Sequence, residues 1–336
     1  MSRGAGLRRL ILHVGRHKTG TSALQAALAA GRDDLARQGV VYPRLPPAAA
    51  DILGPPAATS HPTLARALNP GWGPHDGLPV LARSIGEQIR ATPGADTLLL
   101  SSEAFQNLRD PALVQAYVAD LGVAEVRVIA YLREHLDYAM SSWRQGLQAQ
   151  GRFRRFSRYA GRMKDLGPFV ALWQSVGRLE LDWYDTALAR HGDIVADFLA
   201  RTGLELPARP AGRPNPSIGG NLLYARLLAC RDARPFLPYA AMERLAAADP
   251  GFRQPPRVSD ALAAELREAS PYNASAAAVI GPPPVLKSWA DCPDLPQAGR
   301  LAEDIARLQA AAVRLLRPPD LSWLDAAGPE AAGFYL

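Results

Sequence analysis

Cysteine is almost missing from this 336-residue sequence: Cys230 and Cys292, 62 positions apart, are the only two. Two thiols so placed support neither a disulfide framework nor a cysteine-based zinc site, and the chain is expected to be cytoplasmic and reduced. Long apolar runs are missing too. Leu10-Ile11-Leu12 stops at His13 and meets Gly15, Arg16, His17 and Lys18 too early for a signal-peptide core. The longest uncharged stretch, Ala269 to Leu286, is broken by Pro271 and by Pro282-Pro283-Pro284, so no membrane span is expected. Lysine is the third scarcity, since only Lys18, Lys164 and Lys287 stand among 38 basic residues.

What is present is ordinary for a folded protein. Apolar residues make up 48% and charged ones 21%, enough for a substantial core. The 28 glycines and 30 prolines fall short of a low-complexity share, which rules out a disordered scaffold. Net charge is +6, favouring anionic partners. The signs look interspersed, with no basic block to track a nucleic-acid backbone, so an anionic small molecule is expected and nucleic acid is not.

Four short apolar runs alternate with helical patterns. Leu10 to Val14, Thr97 to Ser101, Val126 to Tyr131 and Leu179 to Trp183 read as strands, and helices are expected over Val80 to Arg90, Pro111 to Leu121 and Ala187 to Arg201. Leu136, Met140, Trp143 and Leu147 form one stripe of a further helix. Such alternation predicts an α/β fold with a helix-covered parallel sheet. Residues 42–79, crowded with proline and glycine, read as an insertion or lid of the 1–203 core. Beyond Gly203 the strand signal stops. Helices near Ile218 to Arg231, Val258 to Glu268 and Gln297 to Arg317 predict a helical C-terminal region over 204–336.

The first strand runs into Gly15-Arg16-His17-Lys18-Thr19-Gly20-Thr21-Ser22 and then a helix. A tight strand-to-helix loop gathers backbone N–H groups at the positive end of the helix dipole, which suits phosphate or sulfate. Gly15 and Gly20 permit the turn, and Thr19, Thr21 and Ser22 add hydroxyls. The spacing is that of a nucleotide-binding P-loop, but Thr21 replaces the usual lysine and Lys18 supplies one from the other end.

With His13-Val14 before it, this segment resembles the 5′-phosphosulfate loop of the sulfotransferases that use 3′-phosphoadenosine 5′-phosphosulfate (PAPS), in particular bacterial carbohydrate-type members. Arg133 and Ser141, eight residues apart, resemble the family's 3′-phosphate pair, with Ser142 as a neighbouring alternative. Ser101-Ser102-Glu103-Ala104-Phe105 resembles the segment that carries the general base, which makes Glu103 the candidate and His17, His61 and His75 the alternatives. The resemblance implies a P-loop-like three-layer fold, PAPS as cosubstrate without a metal, and a hydroxyl acceptor on a glycan. Asn215-Pro216-Ser217 reads as a helix cap, and Trp183-Tyr184 as core or cleft lining. Two rival readings remain: a magnesium-dependent kinase or NTPase with Asp182 on the metal, and an inactive nucleotide-binding module.

Overall fold

The computed structural model describes residues 6–16, 18–45, 59–69, 77–163, 165–207, 217–326 and 335. Packing divides the chain into two compact units. One is Met1–Arg133, Leu166–Gly212 and Ser275–Pro284; the other is Glu134–Asp165, Arg213–Ala274 and Val285–Leu336.

The first unit is built on strands β1 (Arg9–Val14), β2 (Val40–Val41), β3 (Thr97–Ser102), β4 (Glu125–Leu132) and β5 (Arg178–Trp183). They lie in the order β2-β3-β1-β4-β5 with every neighbouring pair parallel. The apolar runs Leu10-Ile11-Leu12 of β1 and Leu98-Leu99-Leu100 of β3 follow from cover on both faces. On one face Ile11, Leu99, Ile129 and Tyr131 pack with α1 (Thr21–Ala30), α2 (Arg32–Arg37), α9 (Tyr184–His191) and α10 (Ile194–Thr202) through Leu24, Leu28, Leu35, Ala187, Ile194 and Phe198. On the other, Leu12 and Leu100 meet Leu64 of α3 (Pro62–Ala67), Val114 and Tyr117 of α5 (Pro111–Leu121) and Trp173 of α8 (Gly167–Val176). The result is a three-layer α/β sandwich, as the alternation of runs predicts; α4 (Leu78–Ala91) follows the excursion.

One expected helix is two. The stretch from Ala187 to Arg201 breaks at Gly192, whose φ of 81° ends α9, and Asp193 starts α10 by accepting from the N–H groups of Val195 (2.7 Å) and Ala196 (2.9 Å).

The second unit contains α6 (His135–Gln150), α7 (Phe156–Ala160), α11 (Gly220–Arg231), α12 (Tyr239–Ala248), α13 (Asp260–Glu268) and α14 (Leu301–Val313). The apolar stripe of α6 is buried among Leu223, Leu227, Met242, Phe252 and Leu308 of the later helices. For that reason the single boundary expected at Gly203 is replaced by a discontinuous division that takes α6 and α7 with the C-terminal helices. Among the described residues, no helix is long and apolar enough to cross a membrane.

Candidate functional site

Parallel strands deliver all their carboxyl ends to one edge. The residues just beyond β1, β3, β4 and β5 are Gly15, Glu103, Arg133 and Tyr184. Because β1 lies between β3 and β4, the chain leaves β1 towards one side and later returns on the other, and the crevice at such a reversal is where open α/β sheets bind ligands.

The loop after β1 is held close to β3. The Gly15 N–H donates to the Ser102 carbonyl (3.1 Å), and a Cβ at position 15 would fall 3.1 Å from Glu103 Cγ and 2.6 Å from Thr21 Cγ2. Glu103 therefore stands beside the loop. The alternative duty of helix capping belongs to its neighbour, since the Ala104 N–H donates to Ser102 Oγ (3.1 Å).

The threonines do something other than expected. Thr19 and Thr21 each donate a hydroxyl to the Arg16 carbonyl (2.7 and 3.2 Å), and both are buried. A hydroxyl spent inside the loop is not offered to a ligand, so these residues brace the cradle and leave binding to main-chain donors. Ser22 is exposed. No side chain caps α1 and its first turn holds no acid, so the field at that helix start is uncompensated. Lys18 is half-buried and takes a φ of 69°, a left-handed conformation that costs a non-glycine residue about 1–2 kcal/mol. Strain of this kind collects at functional sites.

Gly20 also has positive φ, 74°, and a Cβ there would meet Ile194 Cγ2 at 2.8 Å and Tyr184 Cε2 at 3.3 Å. Tyr184 in turn lies under the Arg133 guanidinium, 4.5 Å from ring centroid to Cζ. The loop and Arg133 thus share one aromatic side chain at one edge of the sheet. Gly20→Ala is expected to shift Tyr184 and destabilise the loop by about 1–2 kcal/mol from backbone strain alone. A lowered melting temperature with weakened anion binding checks this.

One solved structure resembles the chain. The crystal structure of a sulfotransferase from Alicyclobacillus acidocaldarius matches 66% of this chain and 95% of its own, with a TM-score of 0.35 and 16% identity. No protein-family model matches, and no curated protein matches. At that degree of likeness the site is read from its own residues.

Beneath the loop lies a buried polar chain that the sequence did not announce. His13 Nδ1 is 2.7 Å from Ser101 Oγ, which also accepts from Gln25 Nε2 (3.1 Å). Burial lowers the His13 pKa to about 4, with the nearby Glu103 carboxylate pulling the other way, so the imidazole is neutral near pH 7. His61 is committed elsewhere: its Nδ1 accepts from the Ser101 N–H (2.9 Å), which leaves Nε2 to donate to the Pro43 carbonyl (2.9 Å). With burial also lowering its pKa to about 4, His61 is a structural histidine and not a base.

Trp183 is core, donating its indole N–H to the Gly281 carbonyl (3.0 Å), while Tyr184 belongs to the site. Asp182 accepts from Arg190 (3.0 Å) and from Arg201, so its carboxylate is already engaged by two guanidinium groups. Among the described residues no group of three His, Cys, Asp or Glu side chains is gathered for a metal. In the second unit Ser141 is half-buried, and Ser142 donates its hydroxyl to the Tyr138 carbonyl (2.7 Å), which removes Ser142 as an alternative donor. His17, His75, Asn215 and Pro216 lie outside the described residues.

Proposed function

We propose that the protein transfers a sulfuryl group from PAPS to an acceptor hydroxyl on a carbohydrate. The observation that supports this most is the single strand edge carrying an uncapped glycine-bounded loop, Lys18, Glu103 and Arg133 together. The residues fit a bisphosphate nucleotide: the helix start after the loop carries no side-chain cap and no acid, and Arg133 is kept in place by Tyr184. The donor, when bound, supplies the sulfuryl group and a phosphate leaving group.

The remaining work falls to the chain. Main-chain N–H groups of Thr19 to Ser22 hold the 5′-phosphate, and Gly15 and Gly20 let the loop pack tightly against Glu103, Ile194 and Tyr184. The Lys18 ammonium stabilises charge on the leaving oxygen. Arg133 holds the 3′-phosphate. Glu103 takes the proton of the acceptor hydroxyl.

The test is a thermal shift with 3′-phosphoadenosine 5′-phosphate. A ligand at a hundredfold excess over its Kd stabilises the folded state by about 2.7 kcal/mol. Stabilisation without metal is expected, and Arg133→Ala is expected to remove most of it while leaving the melting temperature of the free protein within a few degrees. Stabilisation by ATP only with magnesium would instead point to a kinase or NTPase, a reading that the engagement of Asp182 by Arg190 and Arg201 already weakens. Binding without turnover on a sugar panel would mark an inactive module.

A further inference from the structure

The expectation of no basic block fails at residues 152–162. Arg152, Arg154, Arg155, Arg158 and Arg162 fall within eleven positions that hold no carboxylate. Four of them, with Phe153, line a surface concavity of about 360 Å³ in the second unit. That is the scale of a small-molecule site, for which about 300–1,000 Å³ is usual.

The segment beneath them is anchored. Phe156 and Ala160 are fully buried, and Trp143 packs edge-on against Phe156 with its indole N–H donating to the Arg154 carbonyl (2.8 Å). The Phe156 N–H donates to the Tyr335 carbonyl (2.7 Å), and His135 Nε2 lies 3.0 Å from the Ala160 carbonyl. With Phe156 and Ala160 turned inward, Arg155 at the start of α7, Arg158 within it and Arg162 just beyond it are left exposed along one concavity, where like charges repel. Among the described residues, Arg154, Arg155, Arg158 and Arg162 have no ion-pair partner.

From this we infer that the concavity is a second anion site, distinct from the strand-edge loop, and that its ligand is a compact oligophosphate. The lining offers guanidinium donors and no side-chain acceptor, so it suits a ligand whose polar atoms are all acceptors. Guanidinium forks match phosphate oxygens in pairs. A sugar read through its hydroxyls would require acceptors as well. Single-stranded nucleic acid would require a row of exposed rings for successive bases, whereas the lining holds one ring, Phe153, with Phe156 buried and Tyr159 packed against the core. A membrane surface would require an apolar face to insert, and the apolar face of α7 is already covered.

Inorganic tripolyphosphate, titrated calorimetrically into the full chain at low salt, is the probe. The expected result is binding that Arg155→Glu/Arg158→Glu weakens about tenfold or more. Arg314→Glu/Arg317→Glu, an equal charge change elsewhere on the second unit, is expected to weaken it less than about threefold. The titrations carry saturating 3′-phosphoadenosine 5′-phosphate, which fills the proposed donor site, and Lys18→Ala is expected to leave the remaining binding unchanged, which separates the two sites. ATP without magnesium, competed under saturating bisphosphate, distinguishes a free phosphate chain from a nucleotide's. If Arg155→Glu/Arg158→Glu does not fold, Arg158→Gln and Arg162→Gln carry the test. No binding, equal loss in both charge-reversal pairs, displacement by the bisphosphate, or tighter binding of a sulfated oligosaccharide, an RNA oligomer or anionic vesicles at these arginines would overturn the proposal.

Discussion

Lys18→Ala is expected to lower turnover about a hundred- to a thousandfold while weakening 3′-phosphoadenosine 5′-phosphate binding less than about tenfold. The split follows from where charge develops. A group that meets a phosphate already fully charged in the ground state contributes to binding, whereas one beside the breaking bond acts mainly in the transition state. Arg133→Ala is expected to show the reverse split. A chain that spells nearly all its positive charge as arginine keeps a lysine at 18, and the proposed role calls for a compact ammonium rather than a fork. Lys18→Arg is therefore expected to recover little.

The backbone adds a second readout. Lys18 holds a φ of 69°, which alanine retains as strain and glycine relieves. Lys18→Gly is expected to be as stable as the wild type or more so, and as inactive as Lys18→Ala. A side chain kept for folding would not show that pattern; one kept for chemistry against a local stability cost would. Single-turnover rates, bisphosphate affinities and melting temperatures of the three variants decide it. Large loss of binding with turnover preserved at saturation would reject the role.

The strand ends were legible because β1, β3 and the second half of β4 each carry a short apolar run, while β5 alternates Leu179, Leu181 and Trp183 with Glu180 and Asp182, so Val14, Ser102, Leu132 and Trp183 mark the edge to within a residue or two. Gly15, Glu103 and Arg133 followed from that position. Tyr184 occupied the corresponding place after β5, but its contacts with Gly20 and Arg133 depend on sheet order, which local pattern does not encode. The threonines misled for a related reason: hydroxyl donors in a loop serve a ligand or the loop's own carbonyls, and only the fold of the turn around Arg16 decides between them. The split of α6 and α7 from the sheet unit was hidden because their apolar stripes are the same whichever partner covers them. Interspersed charge, judged over the whole chain, concealed an arginine segment that stands out only over the eleven positions 152–162.

Glu134→Ala is expected to destabilise the second unit strongly, by about 3 kcal/mol. The Glu134 carboxylate is 1% exposed, pairs with Arg267 (3.0 Å), accepts from Asn273 Nδ2 (2.9 Å), and caps α6 by accepting from the N–H groups of Leu136 (3.0 Å) and Asp137 (3.1 Å). Removing one partner of a buried pair costs about 3–5 kcal/mol, and Arg267, 19% exposed, recovers some hydration, which places the cost at the lower end. Glu134→Gln keeps the cap and loses the charge, so it is expected to lie between the two. Burial alone would raise the Glu134 pKa, but the hydrogen bonds from Arg267 and Asn273 and the Arg267 charge outweigh it and hold the group below the usual carboxylate range. A depressed carboxylate contributes stability above its unfolded value, about 4.3, and loses it as pH falls through the folded one. Wild-type stability is therefore expected to drop below about pH 4, and the drop is expected to be shallower in Glu134→Gln. Denaturant titrations of both proteins between pH 7 and pH 3 test this, and parallel curves would show that the pair contributes nothing to acid sensitivity.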